Sequence, residues 1–370
     1  MKTSEVAGLI FANSEGKLKR LTAKRSTASV PFGARYRIVD FALSNLVNYG
    51  VSSVGIVTNE NYRSLMDHVG SGISWDLDRK NGGVFFLPPY FKRGVGRFNT
   101  SISSLAGATD YIERSGAKYI VLYDSEIIAN VDISAACKQH INLNADITVV
   151  YHTGKLPAES SEKMILTVGE DKRVKRISFD VKEGETTFGI GVTIINKDLL
   201  LEMIQDAIEQ GISNFEHAVL ANKTRELKMY GFEHKEYVAI MDNTATYYEA
   251  NMDLLNADVR KQLFNSDRPV LTKVHDGMPT RYSIKSKVNN SLVADNCIIE
   301  GTVKNSIIFR NVKIGKGAVV ENSILMQGTV VGEDATLDHV IADKNTTIGK
   351  GLTHKGTKEN LCFFEKNQTF

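Results

Sequence analysis

A periodic run near the carboxyl end constrains this chain more than any other feature. Ile308, Ile314, Val320, Leu325, Val331 and Leu337 recur at intervals of six, six, five, six and six residues. Ile314-Gly315, Val331-Gly332 and Ile348-Gly349 fall at related points of that repeat. Hexapeptide periodicity of this kind is the signature of a parallel β-helix, taken here as left-handed. One coil cannot bury its apolar face alone, so coils stack and share a core. The alternative is an antiparallel β-rich domain, and five near-regular intervals argue against it. A solenoid also leaves edges that serve in oligomer contacts, so self-association is one option.

The chain before the repeat follows a different rule. Apolar runs at Val6–Ala12, Val51–Thr58, Val84–Leu87, Tyr119–Leu122, Asp146–His152 and Ile190–Ile195 read as strands. Helical spacing fills the intervals at Ile38–Asn48, Tyr62–Val69, Ser101–Arg114, Ile133–Leu143, Leu199–Ala207 and Phe215–Leu227. A long helical stretch, Thr246–Phe264, closes this half. Such alternation predicts an α/β fold with a mostly parallel, Rossmann-type sheet flanked by helices. The expected division is therefore an α/β domain over 1–264, a linker over 265–281 and a β-helix over 282–370.

Composition narrows the function classes. A net charge of +2 and a single tryptophan point to no nucleic-acid partner and no attraction to acidic membranes. No apolar run approaches the ~18 residues that span a bilayer, and the start lacks a signal-peptide stretch. Cys137, Cys297 and Cys362 are odd in number and show no metal-ligand spacing. Reduced thiols in a cytoplasmic protein are expected.

The candidate chemistry lies where the Tyr119–Leu122 run ends in Tyr123-Asp124-Ser125-Glu126. Ligands of open α/β sheets bind just beyond the carboxyl ends of such strands. A carboxylate there holds Mg²⁺ against a substrate phosphate. After the first strand, Asn13-Ser14-Glu15-Gly16-Lys17 occupies the place of a phosphate loop. It keeps one glycine and adds a carboxylate that would repel a triphosphate, so a plain turn is the better reading.

Three blocks carry a family resemblance. They are Val30-Pro31-Phe32-Gly33-Ala34-Arg35-Tyr36-Arg37-Ile38-Val39-Asp40-Phe41 with Leu43-Ser44-Asn45, then Trp75-Asp76-Leu77-Asp78-Arg79, then Tyr248-Glu249-Ala250-Asn251-Met252-Asp253-Leu254. Together with the β-helix they resemble glucose-1-phosphate adenylyltransferase, the ADP-glucose pyrophosphorylase of bacterial glycogen synthesis, over nearly the whole chain. The resemblance implies a nucleotidyltransferase-like first domain that would make ADP-glucose and pyrophosphate from ATP and glucose 1-phosphate with Mg²⁺.

The departures fall on that chemistry. Against the family's glycine-rich loop the chain has lost most glycines, and Lys17 stands in place of an arginine, without its planar two-pronged donors. Asn99-Thr100-Ser101-Ile102-Ser103 keeps only the threonine of a Gly-Thr-Ala-Asp-Ala motif. By the family's Gly-Asp-His register, Ser125 replaces a metal-binding aspartate. Asp124 lies one position away, which on a strand means the opposite face. A rotation of the strand end would let Asp124 or Glu126 substitute. Counting four back from Glu249 puts Ala245 at the second metal aspartate, and Asp242 is the nearest carboxylate, given a local shift. Phe179-Asp180-Val181-Lys182-Glu183 keeps only part of the sugar-phosphate motif.

Fold motifs intact with catalytic motifs degraded implies a regulatory, non-catalytic member of the family, with no metal or other cofactor unless residual catalysis exists. Its partner would be a catalytic ADP-glucose pyrophosphorylase subunit in a hetero-oligomer, a tetramer by the resemblance. A competent adenylyltransferase and a sugar-phosphate or nucleotide sensor are the alternatives. Lys24, Arg25, Arg35 and Arg37 form a cationic cluster. One reading is a solvated face with local ion pairs. The resemblance implies instead that Arg25 and Arg37 lie near an anionic sugar-phosphate effector, although Thr27 stands where the family has an effector lysine.

Overall fold

The computed structural model describes residues 5–13, 18–58, 60–88, 101–156, 163–179 and 184–370. Its first half is built on a nine-stranded sheet. The strands are β1 (Val6–Ala12), β2 (Ser53–Thr58), β3 (Gly83–Leu87), β4 (Tyr119–Asp124), β5 (Ile147–Lys155), β6 (Ile165–Val168), β7 (Val174–Ser178), β8 (Glu185–Asn196) and β9 (Met229–Glu233). They run in the order β7-β6-β8-β4-β1-β2-β3, with β5 joined to β8 and β9. β3, β2, β1 and β4 are mutually parallel, whereas β8 returns antiparallel to β4.

Both faces of the central strands are covered. Val6, Ile10 and Ala12 of β1 join one apolar core, while Ala7, Leu9 and Phe11 join the core on the other face. β4 divides the same way, with Val121 and Tyr123 opposite Ile120 and Leu122. Burial on both faces is why these strands read as unbroken apolar runs. The chain leaves β1 toward β2 on one side and arrives at β4 on the other, so the crevice between β1 and β4 is the sheet's switch point.

Helices α1 (Val39–Asn48), α2 (Arg63–Val69), α3 (Ile102–Gly107), α4 (Thr109–Arg114), α5 (Ile133–Asn142) and α6 (Lys197–Glu209) pass between strands. The helix expected over Ser101–Arg114 is two, divided at Ala108. The stretch expected from Thr246 to Phe264 is likewise two, α7 (Thr244–Asp253) and α8 (Ala257–Leu263). Asn256 divides them, its side chain accepting from the Asp258 N–H at 2.9 Å as an N-cap. Residues Phe215–Leu220 form a single wide helical segment, and turns follow where the sequence suggested helix to Leu227.

The second half is a left-handed parallel β-helix of three five-stranded sheets. Its first rung strand is Arg281–Tyr282. Successive rungs pair Ile308 with Leu325, Ile314 with Val331 and Val320 with Leu337. Their side chains fill the solenoid interior with Ile299, Val303 and Ile348. Asn305, Asn311, Asn322 and Asn345 turn the corners at positive φ, where asparagine is better tolerated than other non-glycine residues.

One face of the solenoid is apolar on both sides. Ile308, Leu325 and Ala342 point inward, while Ile307, Ile324 and Ile341 point outward. The outward set shares a core with Leu18, Leu21, Phe32, Phe41, Tyr247 and Leu263 of the first half. Arg25 and Asp343 form a buried ion pair across this seam, and the Tyr248 hydroxyl donates to the Asn322 carbonyl at 2.7 Å. Ile324→Ala, at a site with 0% exposure, is expected to lose about 2–5 kcal/mol. Urea unfolding checks it; a loss no larger than that of a surface substitution would contradict the shared core.

Candidate functional site at the β1–β4 crevice

The retained motifs come together, and they fasten the fold. Gly33 donates its N–H to Asn251 Oδ1 at 3.0 Å, and the Tyr247 hydroxyl donates to the Pro31 carbonyl at 2.6 Å. Asn45 Nδ2 donates to the Tyr123 hydroxyl at 2.7 Å and to the Ala129 carbonyl at 2.9 Å. Burial raises the Tyr123 phenol well above its usual range, so it stays neutral. Asp40 accepts the Arg37 N–H at 2.9 Å and faces His68 Nε2 at 2.5 Å. Trp75 is buried with its ring edge against His68, and Arg79 turns back onto Asp76. Every one of these contacts is internal.

At the crevice, Ser125 donates its N–H to the Phe11 carbonyl at 3.1 Å, continuing β4 alongside β1. Ser125 and Glu126 are fully buried, at 0% exposure. Among the described residues the Ser125 hydroxyl has no hydrogen-bond partner. Asp124 Oδ1 accepts the Glu126 N–H at 3.0 Å, so this carboxylate folds back onto its own chain. Its Oδ2 faces Lys163 Nζ at 4.0 Å, with both side chains only 12% exposed.

Asp242 lies at the end of a second segment that pairs beside this one. Ile127–Ile128 pairs antiparallel with Ala239–Ile240, and Met241 donates its N–H to the Glu126 carbonyl at 2.9 Å. Asp242 follows Met241 directly, one residue beyond this contact. Ala245 lies exposed in the first turn of α7, away from this pairing. On the β1 side, Asn13 Nδ2 donates to Ser104 Oγ at 2.8 Å, and Ser101 caps α3 by accepting the Ser104 N–H at 3.2 Å. Lys17, Asn99, Thr100 and Lys182 lie outside the described residues.

The basic cluster divides. Lys24 and Arg35 are exposed, whereas Arg25 is buried, which corrects the reading of a wholly solvated face. Arg25 Nε donates to the Leu21 carbonyl at 2.8 Å and its guanidinium pairs with Asp343. Arg37 donates to the Ser64 carbonyl at 2.6 Å and to Ser64 Oγ at 3.0 Å. Arg20, Lys24, Arg25, Lys344 and Lys366 line a pocket at the seam, with Asp343 and Glu365 in its wall. Burial first, then the Arg37 and Arg25 charges, pushes Lys344 down to about 7. Burial likewise pushes Arg37 down to about 10.

Comparison with known proteins follows the same two halves. Residues 8–178 match the nucleotidyl transferase family, and residues 278–358 match the GlmU-like C-terminal hexapeptide family. The glycogen biosynthesis protein GlgD of Bacillus subtilis is 35% identical, covering 86% of this chain and 83% of that protein. GlgD of Geobacillus stearothermophilus is 38% identical, covering 82% and 79%. The glucose-1-phosphate adenylyltransferase of Mycoplasma mobile is 33% identical, covering 86% and 85%. The chain belongs to the family of GlgD and glucose-1-phosphate adenylyltransferase.

Mg²⁺, which the family resemblance implies, does not fit the residues this member places at the crevice. Serine offers a neutral hydroxyl where a hard cation favours a carboxylate. One oxygen of Asp124 is taken by backbone and the other faces an ammonium. Among the described residues no trio of His, Cys, Asp and Glu is arranged to hold a metal ion.

Sequence reasoning missed Lys163, Asp343 and Lys344, for a single charged residue in a polar stretch carries no local signal. It also missed Gly191. That residue sits at φ 73° in the irregular part of β8, and a Cβ there would lie 2.6 Å from the Asp124 Cβ. Gly191→Ala is expected to lose roughly 1–3 kcal/mol. Gly116→Ala, at φ 66° with nothing within 4 Å, is the control that carries backbone strain alone. Equal melting temperatures for the two variants would contradict the close packing of Gly191 on Asp124.

Proposed function

We propose that the chain is a regulatory, non-catalytic subunit in glycogen biosynthesis, acting on a catalytic homologue that makes ADP-glucose and pyrophosphate from ATP and glucose 1-phosphate. One observation carries this reading. The family's intact motifs are spent on internal contacts, while the strand end presents Ser125 with Asp124 turned toward Lys163.

Nucleotidyl transfer depends on positioning and charge neutralisation more than on covalent chemistry. Loss of a metal carboxylate is expected to cost roughly 4 kcal/mol or more, several orders of magnitude in rate. The competing reading, a competent adenylyltransferase, draws support from Asp242, the carboxylate next to Met241, whose N–H donates to the Glu126 carbonyl. Pyrophosphate release with Mg²⁺ separates them when this protein, the catalytic homologue and their mixture are each assayed. The expected result is background release by this protein alone and changed kinetics in the mixture. Turnover by the pure protein at the homologue's rate would overturn the proposal.

The regulation would enter through the seam pocket, where Arg25 and Lys344 act on an anionic, sugar-phosphate-like effector and Arg37 adds its charge from behind Ser64, a lining residue. Arg25 would shape the pocket through Asp343, and Lys344 would meet the anion. Without ligand, Lys344 loses its proton as pH rises through about 7. A bound anion favours the charged form, so binding takes up a proton above that pH and weakens as pH rises. Sulfate, whose charge is constant over this range, is the probe. Calorimetry is expected to show affinity falling between roughly pH 6 and pH 9, and a flatter profile for Lys344→Met. A pH-independent affinity in the unsubstituted protein would remove Lys344 from the site.

A further inference from the structure

We infer that the first coil of the solenoid is an open docking end for the β-helix of a different chain, one whose exposed coil carries carboxylates. This deepens the regulatory reading and rests on it only for the identity of that chain, a catalytic homologue.

The argument starts from an interior left uncovered. Tyr282 pairs in register with Ile299, Val288 with Val303 and Val293 with Ile308. Those three partners are fully buried inside the solenoid, so Tyr282, Val288 and Val293 hold interior positions too. Yet Tyr282 is 54% and Val288 37% exposed. Among the described residues no strand pairs with the outer edge of Arg281–Tyr282, Lys287–Asn289 or Leu292–Val293. Asn290 ends a side-chain ladder there, donating to Asn305 Oδ1 at 2.8 Å. The far end of the solenoid differs. Thr347 donates its N–H to the Gln368 carbonyl at 2.8 Å, and the Phe370 ring lies 4.5 Å from the Phe364 ring. Stacked repeats need a polar cap to stay soluble alone. The first coil instead presents apolar interior residues, three strand edges and a fully exposed Ile284.

Charge selects the occupant. Residues 279–294 contain Arg281, Lys285 and Lys287, all exposed, and no carboxylate. Asp295, the next acidic residue, interacts with the Arg310 charge. Stacked coils of this solenoid set opposite charges against each other. Lys304 faces Glu321 at 3.9 Å, and Lys350 faces Glu333 at 2.7 Å. A second copy docked on the same end would bring the same three cations, and like charges across paired strands are destabilising. An acidic coil answers the strand edges, the apolar interior and the cations together. The end therefore opposes self-pairing and favours a partner of opposite charge.

The test uses the full-length protein and its own charge-reversed form, Arg281→Glu with Lys285→Glu and Lys287→Glu. Lys285→Glu with Lys287→Glu serves should the triple variant fail to fold. Sedimentation velocity of the equimolar mixture is expected to show a heavier species than either chain gives alone. Its affinity should fall about tenfold or more as salt rises from about 50 mM to about 500 mM. Hydrogen exchange across residues 279–294 should slow in the mixture only. Tyr282→Ser with Val288→Ser in the unsubstituted chain should abolish both signals. No heavier species in the mixture would overturn the inference, as would concentration-dependent protection of this segment in the unsubstituted protein alone. A catalytic homologue is the second probe. Slowed exchange over 279–294 in its complex supports the assignment. A complex that leaves those residues unprotected overturns it and leaves the regulatory reading standing. No complex with the homologue, beside a mixed species with the charge-reversed chain, supports the chemistry of this end and counts against the regulatory reading.

Discussion

The apolar core shared by the two halves is the constraint on which the rest depends. Ile307, Ile324 and Ile341 on the outside of the solenoid pack with Phe32, Phe41 and Tyr247 of the first half. A solenoid face that is apolar on both sides cannot be left in water, so the β-helix is a wall of the first domain's core. The buried Arg25–Asp343 pair lies in this seam, where loss of either partner would strand a charge. Ile128 and Met241 also belong to the shared core, each within two or three residues of Ser125 or Asp242. Packing at the seam therefore reaches the crevice through a very short length of chain.

On the proposed reading, this arrangement lets the fold persist without the chemistry. The Gly33–Asn251 contact binds the two longest family motifs to each other beneath the solenoid, and Tyr247, just before the second, adds its bond to Pro31. They hold whatever stands at the strand end. A substitution at the strand end leaves the shared core untouched, and Lys163 stands beside Asp124 there. The selective pressures on the seam and on the crevice are physically separable.

Much of the architecture was legible because periodicity and burial have local signatures. The six-residue interval marked the solenoid, and its single five-residue step between Val320 and Leu325 matches pairing between positions 17 residues apart, as in Ile308 with Leu325. Unbroken apolar runs marked β1 and β4. Helix breaks at Ala108 and Asn256 were not legible, since both stretches keep helical spacing through the break. Ser125 was found by family register alone, and counting back from Glu249 gave Ala245, which the helix carries out to solvent. The segment leading to Asp242 lies beside the one leading from Ser125 only because residues 127–128 pair with 239–240, a contact between segments 112 residues apart. Lys163, Asp343 and Lys344 matter through such distant neighbours, and no local pattern announces them. The paired apolar residues Ile307-Ile308 and Ile324-Leu325 did carry a signal, because a solenoid face that meets only water needs one apolar residue per turn of this kind.

The account rests on this chain acting through a catalytic partner, and the mass of the assembly tests that most directly. Native mass spectrometry of an equimolar mixture with a catalytic homologue is predicted to give a species containing both chains in fixed ratio. Two separate populations, each made of one chain only, would contradict it.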